Sequence, residues 1–317
     1  MDIVGIGTPC FDFIVRVREL PKGNDSMRMQ DYTYQGGGIA ATALVAASRL
    51  GAKTGLVGIT GSDNYGRFII DDFIYNGVDT SHIKIQPDGV SPFSVVVSED
   101  KSQGRNIMYN PGTIPRLTVD DLDKEYITSG KFLHLEWATP VSRQAAVWAR
   151  EKGVKVVMDV TSYYPEVEDM TPLIDVFVAS ENYYNKAFNT GTFEENCRKI
   201  REKGPEIVVF TFGGKGCVGL GNEGYFEIPA FKVNVADTTG AGDVYHGAFI
   251  YGLLQGWNAS DTARFASAVS AVKCTRMGGR AGIPDLKTVR EFIETGDIDY
   301  SEIDKRVEYK RKGVINV

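Results

Sequence analysis

The chain predicts an α/β fold: a mostly parallel central sheet with helices on both faces, plus a small separate β-sheet. Three observations lead there. Short apolar runs alternate with helical patterns along the 317 residues, the order of a parallel sheet whose crossovers are helices. Two glycine-rich turns, Gln35-Gly36-Gly37-Gly38 and Gly240-Ala241-Gly242, each open an apolar helical segment. Two stretches, 13–34 and 91–111, break the βα rhythm with strand patterns of their own. With 43% hydrophobic residues, a chain of this length buries one large core with a small appendage.

In chain order, residues 3–7 are the first apolar run and the first expected strand. Residues 13–34 belong to the small sheet. Gln35 to Gly38 leads into a small-residue helix closed by Gly51 as C-cap. Residues 54–59 form the next core strand. In the second irregular stretch, Phe93-Ser94-Val95-Val96-Val97 and Asn106-Ile107-Met108-Tyr109 read as antiparallel strands that pair with the first stretch. Core strands follow at 132–137, 154–160, 176–180 and 207–211. Ligands of open α/β sheets bind outside the carboxyl ends of the strands, so the loops 8–12, 136–139, 180–183 and 211–216 are expected to line the site. The division is 1–12, 35–90 and 112–317 for the α/β domain, and 13–34 with 91–111 for the discontinuous β unit.

The chemistry concentrates in Asp237-Thr238-Thr239-Gly240-Ala241-Gly242-Asp243, which runs directly into an apolar helical segment. Unpaired N–H groups of Gly240, Ala241 and Gly242 at a helix N-terminus make an anion site. A carboxylate placed there makes sense if it accepts a proton from a hydroxyl attacking phosphorus, so Asp243 points to phosphoryl transfer to an alcohol. Taken alone, Asp243 is more simply a first-turn carboxylate favoured by the dipole. The glycines at 36–38 shift that balance, because backbone there can approach a ligand closely.

Composition excludes other classes. With a net charge of −6, no Lys/Arg cluster supplies the basic face that nucleic acid needs. Cys10, Cys197, Cys217 and Cys274 are scattered, and His82, His134 and His246 form no ligand spacing, so neither a disulfide framework nor a zinc site is indicated. The start of the chain has no basic region, long apolar stretch or cleavage pattern, and it reads as cytoplasmic with no membrane partner. Gly5-Ile6-Gly7 reaches Cys10 where a dinucleotide motif needs its third glycine, and no phosphate-binding Gly-x-x-x-x-Gly-Lys loop is present.

Together the two glycine segments resemble the ribokinase/PfkB family of carbohydrate kinases, and Asp237 to Asp243 matches the family's Asp-Thr-x-Gly-Ala-Gly-Asp motif at every fixed position. Gly7 to Asp12, Thr211-Phe212-Gly213-Gly214-Lys215-Gly216 and the segment 265–284 fall in family order, so the likeness covers almost the whole chain. The resemblance implies a ribokinase-like fold whose small β-sheet is a lid over the sugar and the surface of a homodimer. It also implies ATP and Mg²⁺ as cofactors, a small sugar as the other partner, Asp243 as base, and Gly240, Ala241 and Gly242 as the anion hole. Asp12 is the expected acceptor from sugar hydroxyls, and Gly37 and Gly38 the backbone against the sugar. Thr42 stands where the family usually has Asn, and Cys10 where Asn is frequent. On the nucleotide side the resemblance implies Thr211, Gly213 and Gly216 at the donor phosphates, Ala268 and Val272 as an adenine wall, and Ser180 with Glu181 as the counterpart of an Asn-x-x-Glu motif, Glu181 acting on magnesium through water. Asp237 and Thr239 match residues that surround a monovalent cation in some members, which makes potassium a further expected cofactor.

Within the family the closest likeness is to the branch that includes sulfofructose kinase, carried by 36–43 and by 273–285. A sulfonate needs converging cationic or amide donors, but the lid positions read Ser26, Tyr109 and Asn110, with Glu136 and Trp137 on the sheet side. Glu136 would repel an anionic sugar, so a neutral hexose, ketose or polyol is expected. Sulfofructose, 2-keto-3-deoxygluconate, a nucleoside acceptor, and a non-catalytic sugar-binding regulator are the alternatives.

Overall fold

The computed structural model describes residues 1–101 and 104–312. Residues 102–103 of the expected lid and 313–317 of the expected α/β domain lie outside the described residues. The strands are β1 (Ile3–Ile6), β2 (Cys10–Val17), β3 (Asp31–Gly37), β4 (Thr54–Gly61), β5 (Val78–Asp79), β6 (Ile83–Gln86), β7 (Phe93–Glu99), β8 (Gly104–Asn110), β9 (Phe132–Leu135), β10 (Lys155–Val160), β11 (Val176–Ser180), β12 (Ile207–Thr211), β13 (Cys217–Gly221) and β14 (Gly224–Ile228). The large sheet has the order β14-β13-β12-β11-β10-β9-β1-β4-β5, with β6 beside β4. All its pairs from β12 to β5 are parallel, as the alternation of apolar runs and helices requires.

The pleat divides each central strand between two cores. Ile3 and Val157 pack on one face with Leu44, Phe249 and Val269, while Val4, Ile6, Val156 and Met158 pack on the other with Val141, Ala145, Cys197 and Ile200. Helices therefore cover both faces, and β4 is buried along its whole length. The helix Ile39–Arg49 is alanine-rich because it lies between the sheet and the helix Ala241–Leu254; a Cβ on Gly247 would sit 2.0 Å from the Ala43 carbonyl oxygen.

The second sheet runs β3-β2-β7-β8. Its two halves come from the two irregular stretches, and β7 and β8 are antiparallel as expected. The sheet also takes in Asp12, Gly36 and Gly37, since β2 begins at Cys10 and β3 ends at Gly37. The edge hairpin β13–β14 lies beyond the strands expected from sequence; its first strand reads Cys-Val-Gly-Leu-Gly, whose glycines mask the β pattern. Two further helices, Leu286–Thr295 and Ser301–Lys312, end the described chain. No described helix is long and apolar enough to cross a membrane.

Candidate active site

Asp237 shapes the turn that carries Gly240, Gly242 and Asp243. Its Oδ1 accepts from the Thr239 N–H at 2.8 Å and hydroxyl at 2.7 Å, and its Oδ2 accepts from the Gly278 N–H at 2.8 Å. Gly240 then caps the helix Ala241–Leu254 in the left-handed conformation, φ 72°, which costs glycine no Cβ clash. The N–H groups of Gly240 and Gly242 have no partner among the described residues, whereas Ala241 donates to the Thr238 carbonyl at 3.2 Å. Two of the three expected anion-hole donors thus stay available; the turn itself consumes the third. Asp243 stands half-buried in the first turn. Burial pushes its carboxyl up to about 7; the negative charge of Asp12 adds to the rise, while Arg105, Lys273 and Arg280 oppose it.

Asp12 lies opposite, buried on β2, with Oδ1 accepting from the Ser94 hydroxyl at 2.5 Å and the Cys10 thiol at 3.0 Å. Burial raises its carboxyl, and both bonds work against the rise. Gly37 closes on the same group: a Cβ there would fall 2.2 Å from Oδ2. Gly38 follows as the N-cap of the helix Ile39–Arg49. Thr42 corrects the expectation of a sugar contact. It is 1% exposed, and its hydroxyl accepts from Arg280 Nε at 3.2 Å, so it supports the floor from behind.

Glu136, at the end of β9, has both oxygens occupied. Oε1 accepts from the Thr8 N–H at 2.7 Å and Oε2 from the Ala40 N–H at 3.0 Å, so Glu136 caps the helix Ile39–Arg49 from across the sheet. Burial lifts its carboxyl to about 7, against those two N–H bonds. Its repulsion of an anionic sugar is correspondingly weaker than its formal charge suggests. Glu136, Trp137 and the half-exposed Tyr109 line a cavity of about 960 Å³. Arg116 lines the same cavity, and no partner for it is found among the described residues. Asn110 folds back, its Oδ1 accepting from the Gly112 N–H at 2.8 Å. From the lid edge β8, Arg105 Nη1 donates to the Thr238 carbonyl at 3.2 Å and hydroxyl at 2.9 Å, beside the reaction turn.

A second cavity of about 210 Å³ abuts the first turn of the helix Ala241–Leu254. Thr211, Gly213 and Gly216, the residues expected at the donor phosphates, line it together with Gly242. Ala268 and Val272 do not: both are fully buried in the core, and the helix Ala259–Cys274 instead presents Ser267, Ser270, Ala271 and Cys274. The apolar stripe was the core face, and the cavity lies one step around the helix. Ser180 is an N-cap whose hydroxyl also donates to the Thr161 carbonyl at 2.8 Å, which leaves it structural. Glu181 is half-exposed and pairs with Lys215 at 2.8 Å.

Sequence reasoning missed Arg105, Arg116, Lys273, Arg280 and the buried group behind Asp243. In that group Asp159 Oδ2 approaches His246 Nε2 at 3.2 Å, and the His134 ring lies tilted against His246 at 5.6 Å between centroids. Burial drives the Asp159 carboxyl well up and the His246 imidazole well down. Each of these residues is a single charge or imidazole in an ordinary helix, strand or loop, with no local pattern to mark it.

The model for pfkB family carbohydrate kinases matches residues 2–286. The chain belongs to this family. It is a sugar kinase, an ATP-dependent phosphotransferase, like its curated relatives. A 5-dehydro-2-deoxygluconokinase of Clostridium botulinum is 30% identical, with 95% of each chain covered. A ribokinase of Haemophilus influenzae is 28% identical, covering 91% of this kinase and 97% of the relative. Among solved structures, Arabidopsis thaliana ribokinase complexed with ribose and ATP aligns at TM-score 0.79 and 23% identity, covering 92% of this kinase and 98% of that chain. Fructokinase with bound ATP from Xylella fastidiosa aligns at 0.78 and 21%, covering 93% and 99%. These likenesses show the ribokinase-like fold.

Proposed function

We propose that this kinase transfers the γ-phosphoryl group of ATP to a hydroxyl of a small carbohydrate held between Asp12, Gly37 and Asp243. The observation that carries the proposal is the half-buried Asp243 carboxyl, raised to about 7, beside two free N–H donors and near Asp12. A base must be within reach of the hydroxyl and hold a pKa near the working pH, and Asp243 meets the second demand. Gly240 and Gly242 stabilise charge developing on the transferred group. Asp12, an acceptor held by Ser94 and Cys10, orients sugar hydroxyls. ATP lies in the cavity bounded by Thr211, Gly213, Gly216 and Gly242, with its base against Ser267, Ala271 and Cys274. Glu181, a half-exposed carboxylate at the start of the helix that follows β11, would hold a magnesium ion through water, and the ion would neutralise donor phosphate charge. The 13–34 and 91–111 segments form the lid, which closes as Arg105 reaches Thr238 and excludes water. The exposed Ile107 and Met108 on its edge strand support a homodimer through the lid, which the molar mass in solution by light scattering tests. Four buried free cysteines suit the reducing cytoplasm.

The acceptor is a neutral hexose, ketose or polyol, or a sugar acid. Arg116 favours the second reading: a cation with no partner among the described residues, in the large cavity, matches a carboxylate, and a relative is named 5-dehydro-2-deoxygluconokinase. ADP release from Mg-ATP across fructose, inositol, 5-dehydro-2-deoxygluconate, 2-keto-3-deoxygluconate, sulfofructose and adenosine separates them. Asp243→Asn abolishes turnover and leaves ATP binding in place; an active variant removes the base. Sugar binding without ADP release marks a non-catalytic binder.

A further inference from the structure

Lys273 is fully buried near the end of the helix Ala259–Cys274. Its ammonium donates to the carbonyl oxygens of Asp237, at 3.1 Å, and of Thr239. Those two residues frame the turn that delivers Gly240, Gly242 and Asp243. A buried ammonium requires oxygens that replace its water shell, and carbonyls are the same ligands that replace the hydration shell of potassium. The charge reaches further: it lowers the Asp237 carboxyl and opposes the rise at Asp243. The resemblance places a free monovalent cation beside Asp237 and Thr239; here a side chain of the protein occupies their carbonyls.

We propose that the Lys273 ammonium is a tethered monovalent cation that fixes the Asp237–Gly240 turn and makes catalysis independent of potassium. The inference rests on the kinase reading. Lys273 acts as a positioning residue, since it touches the turn and not the substrate.

The test compares wild type with Lys273→Met in KCl and in tetramethylammonium chloride at equal ionic strength, following both turnover and melting temperature. Lys273→Gln replaces the Met variant if the latter does not fold. Wild type is expected to run at the same rate, within about twofold, in both salts, while the variant loses about 100-fold in tetramethylammonium and regains part of it in KCl. KCl should also raise the melting temperature of the variant and leave that of wild type unchanged. Severalfold activation of wild type by KCl overturns the proposal, and so does a variant whose rate and melting temperature ignore the cation. Absence of turnover by wild type in either salt counts against the kinase reading instead; the melting comparison still decides the role of Lys273.

Discussion

Replacing Gly37 by Ala tests the acceptor floor with a single methyl group. Gly37 has no positive φ, so alanine fits its backbone conformation, and the effect is confined to space. The added Cβ would lie 2.2 Å from Asp12 Oδ2 and 2.6 Å from its Cγ, where ordinary contact begins at 3.4 Å. The carboxylate must retreat by about 1 Å, because close-packed interiors leave no slack on its other side. Its Oδ1 is already tied at 2.5 Å to Ser94 and at 3.0 Å to Cys10, and a shift of that size breaks one or both bonds. A misplacement of about 1 Å costs roughly 100-fold in catalysis. We expect kcat/KM for the sugar to fall by about that factor, mostly through KM, with ATP affinity by calorimetry within about twofold of wild type. A sugar KM unchanged in Gly37→Ala would refute the placement of Asp12 at the acceptor.

Four more expectations concern charge. Asp243 must be ionised to accept a proton and its carboxyl titrates at about 7, so kcat/KM should fall about tenfold per unit as pH drops below that value; a flat profile down to pH about 5 contradicts the base assignment. Stability runs the other way. The Asp243 and Glu136 carboxyls are raised above their ordinary 3.8 and 4.5 to about 7, so the stability they contribute is complete at acid pH and is lost as pH rises through about 7. Glu136→Ala leaves the Thr8 and Ala40 N–H groups unpaired and should cost about 2–4 kcal/mol by urea unfolding. Asp72 is buried between Lys310 of the last helix and Arg280, with Arg280 Nη1 at 2.5 Å. Lys310→Met should therefore destabilise by about 3–5 kcal/mol, and a loss below about 1 kcal/mol would show that Arg280 alone satisfies Asp72.

The sequence by itself determined the architecture and marked the candidate reacting turn. Apolar runs at 3–7, 54–59, 132–137, 154–160, 176–180 and 207–211 are strands because each is buried on both faces, and such burial leaves a continuous local signal. The glycine-rich turn was legible because Asp237 to Asp243 form one contiguous segment, with Asp237 bonded locally to Thr239, although its bonds to Gly278 and Lys273 come from distant segments. Tertiary structure alone decided what crosses the fold. Whether Glu136 faces a sugar or caps a distant helix depends on Thr8 and Ala40, 128 and 96 residues away. Ala268 and Val272 share their helix with the cavity-lining Ser267 and Ala271, and only the packing of neighbouring helices says which face is core. Lys273 reads in sequence as a basic residue suited to a helix end; it becomes an internal cation because folding carries it to carbonyl oxygens 34 and 36 residues earlier in the chain. Local pattern reports the burial and conformation of a segment, while the partner of a buried charge is fixed only when separate segments close on one another.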